Sequence, residues 1–452
     1  MIDDFRLDGL QTTTILALAE GYESASTNFD VIDDETAIMG TLDPDDLTGT
    51  PDLDGIFGFA GDDRILGLES NDIIGGGLGN DTAVGGPGAD ILSGGSNDDV
   101  LIGGSVPPVD ELGQTSGAQV FRVFGATLDR IPDSLGYDNW SGQLESGAMV
   151  LTQVITGFVA SPEFQATYGA LDDEAFVTLL YNNVLDRDPD AGGLANWLSQ
   201  LASGTTREEV VRGFSQSPEY IAQTNDPASA YVLAGIAAPF ADDVYRLYEA
   251  TLDREPDVVG LTNWSTERGM GTSYLDVASG FVNSPEFQAT YGSLDDEAFV
   301  TLLYNNVLDR DPDATGLANW LQLLSEGASR EEVVEGFAQS PEFVAKTAEA
   351  FAAYMAATEG DTYDGGPGDD LMSGSLLADD FIFEREDAGR DRVLEVDAFD
   401  TASFLGFGYA DAAEARSHMT EVNLDVVFAD QGVSVIFMHT DMETIDSMTI
   451  QV

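Results

Sequence analysis

Cysteine is absent from the 452-residue chain. Disulfides and thiolate metal sites are therefore excluded, and any stapling has to come from another source. Positive charge is scarce: 17 Lys and Arg stand against 82 Asp and Glu, a formal net charge of −65. Phosphate backbones need clustered Lys and Arg, so this balance argues against nucleic acid as a partner, and against anionic membrane surfaces. It favours cations, and a salty medium that screens self-repulsion. Only two histidines occur, His418 and His439, and neither has a His partner at zinc-binding spacing. No apolar run reaches the roughly 18 residues of a membrane span, so membrane insertion is not expected. The start, MIDDFRLDGL, lacks a charged-then-apolar leader. A G-x-S-x-G elbow and a phosphate-cradling loop are both missing. Among the carboxylates nothing singles out an acid pair for glycoside hydrolysis. The expectation is a protein that is not an enzyme.

What is present begins with a period. Gly40, Gly49, Gly58, Gly67, Gly76, Gly85, Gly94 and Gly103 stand nine apart, and so do Asp45, Asp54, Asp63, Asp72, Asp81, Asp90 and Asp99. Two residues after each Asp comes an apolar side chain: Leu47, Ile56, Ile65, Ile74, Ala83, Leu92 and Leu101. Each nonapeptide predicts one glycine-rich turn and one short strand, with the apolar residue stacked inward. Gly suits turn positions that need positive φ or close backbone approach. Carboxylates and turn carbonyls are hard oxygen ligands of the kind Ca²⁺ takes. Two nonapeptides complete a coil, so aspartates eighteen apart should share ligand duty: Asp45 with Asp63, Asp54 with Asp72, Asp63 with Asp81, Asp72 with Asp90, Asp81 with Asp99. Stacked carboxylates repel one another without metal, which couples folding to calcium. The edges depart from the pattern at Asp43, Pro44, Pro51, Asp52, Glu69-Ser70 and Ser96-Asn97, so the firmest sites centre on Asp63, Asp72, Asp81 and Asp90.

GGLGNDTAV (Gly76 to Val84) and GGPGADILS (Gly85 to Ser93) resemble the RTX (hemolysin-type) nonapeptide G-G-x-G-x-D-x-U-x. The resemblance implies a calcium-filled parallel β-roll. It also implies export by type I secretion machinery through a C-terminal signal, and hence a secreted or cell-surface protein without an N-terminal signal peptide.

Residues 1–39 are assigned to an N-terminal cap, with Leu10 to Gly21 as a short strand or helix, because a solenoid end exposes apolar surface. Residues 40–104 form the roll and 105–118 a linker. Residues 119–348 form a helical module of four units in two tandem pairs. Its units carry LDRIPDSLGYDNW (from Leu128), LDRDPDAGGLANW (from Leu185), LDREPDVVGLTNW (from Leu252) and LDRDPDATGLANW (from Leu308), and each ends in S-P-E-F or S-P-E-Y. In the second unit Val177, Leu180, Val184 and Leu185 make one apolar face, and Leu194, Trp197, Leu198 and Leu201 the next. Gly204 ends that helix, Thr206 with Glu209 forms a capping box, and Ser217-Pro218-Glu219 opens a short helix. The unit resembles the helical domain-of-unknown-function family 4214 and is distantly similar to phycobilisome linker domains. Neither resemblance implies an activity.

Asp186, Asp188 and Asp190 have the spacing of the first EF-hand ligands. However, Ala191 and Trp197 stand where that loop needs Gly and Glu, and the first copy has Ile131 in the middle. A turn and helix cap at Pro189-Asp190, with Arg187 paired to nearby carboxylates, fits better. The four tryptophans fit helix core better than a sugar platform.

Residues 349–379 continue as an Ala-rich helix and then return to the nine-residue register. Asp361, Asp370 and Asp379 predict a second, short β-roll, with Asp361 and Asp379 as its shared pair. Residues 380–452 form a β-rich cap holding the secretion region, with a hairpin turning at Gln431-Gly432. The fold class is thus multidomain α+β: parallel β-roll, all-α repeat module, short second roll and β-rich cap. The expected function is a secreted calcium-binding repeat protein with a structural, adhesive or surface-assembly role. Its partners would be calcium ions, further copies of itself or cell-surface polysaccharide. A carbohydrate-binding module and an accessory subunit of a separate secreted enzyme are the alternatives.

Overall fold

The computed structural model describes residues 11–16, 26–31, 36–104, 106, 114–185, 187–292 and 294–452. Because the roll advances by eighteen residues per coil, identical repeat positions stack. Ile56 pairs with Ile74, and Ile74 with Leu92, in one sheet. Ile65 pairs with Ala83, and Ala83 with Leu101, in the other. All these side chains point inward and are fully buried. Alternation along each strand then places the residue after the inward one on the outer face.

The coils do not stop at Ile102. Leu92 pairs in parallel with Tyr363, and Leu101 with Met372. The sequence-based division into two rolls is therefore corrected: residues 359–373 lay the next coil directly on residues 91–102. The helical module is an insertion between two adjacent coils. Linear separation hid this, because strand pairing depends on matching register and not on chain distance. The cap merges as well. Ala378–Glu384, Thr401–Leu405 and Thr449–Gln451 extend one sheet. Gly389–Leu394 and Val433–Phe437 extend the other. The predicted hairpin forms between Asp425–Asp430 and Val433–Phe437, with Gln431 and Gly432 both at positive φ. Such a turn matches the twist of paired strands.

At the N-terminal end Gln11–Leu16 pairs antiparallel with Ser26–Val31 as a separate two-stranded sheet. The expected boundary at residue 39 is corrected, because Thr36–Met39 pairs in parallel with Asp54–Phe57 as a strand of the roll. Residues 1–10, 17–25 and 32–35 of the expected cap lie outside the described residues. So does most of the expected linker, whose end is corrected: Thr115 caps a helix that begins at Ser116.

The motif residues of the helical units are explained by local chemistry. Asp129, Asp253 and Asp309 of the L-D-R triplets end their helices in the left-handed conformation that Asp tolerates. Arg130, Arg187, Arg254 and Arg310 each reach the glutamate of the following S-P-E, at 2.7, 3.2, 2.9 and 3.4 Å. The same guanidinium groups lie over Phe124, Tyr181, Tyr248 and Tyr304. Each tryptophan sets its ring against a glycine of a neighbouring helix: Trp140 on Gly157, Trp197 on Gly213, Trp264 on Gly280, Trp320 on Gly336. The rings also pack on Phe158, Phe214, Phe281 and Phe337. The capping box at Thr206 and the Ser217 cap form as expected.

The first pair of units packs on the roll. Leu66, Val84, Ile102, Leu371 and Leu394 present an apolar outer face that joins the core of this pair, with Tyr231 and Ala230. Arg64 Nε donates to the buried Asp226 at 2.5 Å across the same seam. The second pair closes a core of its own and touches the roll through Leu376, Leu377 and Phe399.

Candidate metal centre

The repeat aspartates form two columns, one along each edge of the roll. In the first, the backbone N–H of Asp45 donates to Asp63 Oδ1. Asp63 donates likewise to Asp81, Asp81 to Asp99, and Asp99 to Asp370, each at 2.8 Å. Asp370 then donates to Asp391 at 3.3 Å. In the second column Asp54 donates to Asp72, Asp72 to Asp90, Asp90 to Asp361 and Asp361 to Asp379, at 2.7 to 2.8 Å, and Asp379 to Asp400 at 3.0 Å. The predicted partners eighteen apart are therefore neighbours. Asp361 and Asp379 are also neighbours, but Asp361 in addition receives Asp90 from across the insertion.

Two column members, Asp391 and Asp400, escaped the sequence reading. They are nine apart, but three extra residues before Asp391 break the register. An exposed outer ladder repeats the pattern from Asn80 to Asp62, Asp98 to Asn80 and Asp369 to Asp98.

One oxygen per carboxylate is thus committed to backbone. The other divides the columns into two classes. Oδ2 of Asp63, Asp72, Asp81, Asp90, Asp99 and Asp370 is buried without a hydrogen-bond partner. A buried unpaired carboxylate oxygen is costly, which marks these positions as incomplete without a cation or a proton. At the C-terminal end both oxygens are occupied, whereas at the N-terminal end Oδ2 accepts locally and Asp54 Oδ1 stays buried without a partner. Thr41 N and Oγ1 donate to Asp45, Thr50 N and Oγ1 to Asp54, Ser375 N to Asp379 and Asp397 N to Asp400.

The first glycine of each repeat explains itself at the same place. A Cβ on Gly58 would overlap Asp63 Oδ2 and the Gly76 carbonyl oxygen. On Gly67 it would overlap Asp72 Oδ2 and the Gly85 carbonyl, and on Gly76, Asp81 Oδ2 and the Gly94 carbonyl. Side-chain and carbonyl oxygens converge there on a point that only hydrogen leaves open. Among the described residues no three His, Cys, Asp or Glu side chains gather on one point. A cation in the roll has to be held by aspartate together with turn carbonyls, a hard all-oxygen set suited to Ca²⁺. The residues fit the ion.

Burial drives the protonation of these groups. It pushes Asp81 up to about 6, Asp72 and Asp370 to about 7 and Asp99 to about 8, partly opposed by the donated backbone N–H. Repulsion from a neighbouring column carboxylate adds to the rise at Asp72, Asp81 and Asp99, and repulsion from Asp98, Asp369 and Asp387 adds to it at Asp370. Burial, then repulsion within the column, also raises Asp361 and Asp379.

The helical aspartates do other work. Asp190 accepts from Gly192 and Gly193 as a helix cap, Arg187 pairs with Glu219, and Asp186 lies outside the described residues. His439 meets Asp138 at 3.0 Å and His418 stacks on Tyr409, away from both columns.

A family model of the RTX calcium-binding nonapeptide repeat matches residues 39–74 and 75–105. A family model of a domain of unknown function, DUF4214, matches residues 113–167, 155–224, 240–290 and 278–347. No curated protein matches the chain. Among the described residues no helix is long and apolar enough to cross a membrane.

Proposed function

Starting from a chain that carries RTX calcium-binding nonapeptide repeats and four DUF4214 units, we propose that it is a non-catalytic, calcium-dependent scaffold that works outside the cell. The observation that carries this reading is the pair of carboxylate columns, with six buried Oδ2 atoms unpaired. Bound Ca²⁺ would supply the positive charge that lets stacked carboxylates ionise side by side. Asp63, Asp72, Asp81, Asp90, Asp99 and Asp370 would hold it, with turn carbonyls completing the shell. Asp379 and Asp400 close the C-terminal end by hydrogen bonds, and Asp45 and Asp54 accept from Thr41 and Thr50 through Oδ2.

Extracellular modules bind calcium at about 10⁻⁴–10⁻³ M, so the roll would close where calcium is millimolar. The helical module then projects from a rod whose stiffness depends on the ion, a geometry suited to self-assembly or to a cell-surface polysaccharide. Residues 380–452 are woven into both sheets, so type I secretion machinery would read them before the roll closes.

The test is a calcium titration of the purified chain, followed by bound-metal count, circular dichroism and particle size. The expected result is cooperative gain of β-structure with uptake of several ions, then growth in size. A fully folded roll in calcium-stripped buffer, with no uptake on titration, overturns the reading.

A further inference from the structure

In the repeat coils the residue two after each column Asp is aliphatic: Ile56, Ile65, Ile74, Ala83, Leu92, Leu101. After Asp361 it is Tyr363. Its ring is fully buried and stacks on Phe381, with centroids 4.8 Å apart. Its hydroxyl lies 2.9 Å from the Ser373 carbonyl oxygen and 3.2 Å from Asp361 Oδ2, and it donates to this pair. Asp361 Oδ1 meanwhile accepts from Asp90 N. Asp361 is therefore the one carboxylate at the junction whose oxygens both have partners; Asp90, Asp99 and Asp370 each keep an unpaired Oδ2.

The position of the hydroxyl is informative. A Cβ on Gly103 would overlap Asp361 Oδ2 and Tyr363 Oη. In the coils of Gly58, Gly67 and Gly76 the equivalent point faces a carboxylate oxygen and a backbone carbonyl of the next coil. The phenol thus stands among the oxygens that converge in those coils. A Ca²⁺ ion needs about 2.3–2.6 Å to each oxygen, and a hydroxyl bonded directly to both acceptors leaves it no room.

We infer that Tyr363 replaces a cation at this step, so that the coil joining the two halves of the roll closes on the Asp361 side without metal. The inference rests on the calcium reading of the other coils. Its consequence is mechanical. The two chain ends that flank the helical module are held on one edge of the roll by a covalently attached donor, and on the other, through Asp99 and Asp370, by an exchangeable ion.

The experiment counts bound Ca²⁺ by native mass spectrometry on the full chain at saturating calcium, for the wild type, Asp81→Asn, Asp361→Asn and Tyr363→Phe. Asp81→Asn should lose at least one ion. Asp361→Asn should keep the wild-type number. Tyr363→Phe, which removes only the hydroxyl, should gain one ion. Loss from Asp361→Asn equal to that from Asp81→Asn overturns the inference, and so does a folded Tyr363→Phe with an unchanged count. A wild type that binds no calcium defeats the underlying reading instead, which keeps the two failures distinct.

Discussion

The repeat coils and the closing coils of the roll share one backbone plan and differ in what fills it. From Ile56 to Leu101 the interior holds a single column of aliphatic side chains per sheet, thinned further at Ala83. Beyond the insertion the interior turns aromatic. Phe383 stacks on Phe404 at 5.3 Å, Phe404 meets Phe428 at 4.4 Å, and Phe383 meets Phe437 edge-on at 6.0 Å. The carboxylates change in step: unpaired Oδ2 atoms where the core is thin, self-closed ones at Asp379 and Asp400 where it is thick. Aromatic side chains bury much more area per residue than one aliphatic in nine. The lesson is that a coil can be held by an ion or by apolar mass, and this chain carries the residues for both in one continuous sheet pair.

The largest expected effect follows from that difference. On chelation, hydrogen exchange should lose protection across Asp54–Ala60, Ile73–Leu78 and Ile91–Ser96, while Ala378–Glu384 and Val433–Phe437 stay protected. Loss of protection in both regions at the same chelator concentration would break the comparison.

A pH dependence sharpens it. Unfolded Asp titrates near 3.9, whereas burial raises the folded values of Asp81, Asp72 and Asp99 to about 6, 7 and 8. Between these limits the folded, metal-free roll binds more protons than the unfolded chain, so its stability falls as pH rises from about 4 to 8. With calcium present the trend should invert, because the ion needs ionised carboxylates. Melting of the roll in chelator at pH 5 and pH 8 is the measurement; a higher midpoint at pH 8 contradicts the assignment.

The smallest effect separates roll from module. Gly76→Ala places a methyl group against Asp81 Oδ2 and the Gly94 carbonyl and should remove calcium together with roll stability. Gly213→Ala presses on the Trp197 ring. It should cost about 1–3 kcal/mol as an overpacked core, with the calcium count unchanged. Equal calcium loss in both variants would deny the glycines their separate roles.

Local chemistry made much of this legible in the sequence. The Asp register, the inward column from Ile56 to Leu101, the Thr206–Glu209 box and the Gln431-Gly432 turn depend on residues close in the chain. The continuity of the roll was not legible, because Asp90 and Asp361 are 271 residues apart. Asp391 and Asp400 were hidden by a three-residue slip. The seat of the helical module was visible in principle: Leu66, Val84 and Ile102 stand eighteen apart on the outer face. The period drew attention to the inward residue instead. For the metal, sequence singled out the central aspartates, while the Thr41 and Thr50 hydroxyls that donate to Oδ2 at the N-terminal end carry no signal in a pattern of Gly and Asp.

The insertion point also sets an order of closure. Val100–Ile102 has no neighbour on one hydrogen-bonding edge until Leu371–Ser373 pairs with it, and until then that edge is open to another chain. The intervening helices cover the outer face of the same sheet through Val84 and Ile102, so how fast the inserted module folds sets how long the edge stays exposed.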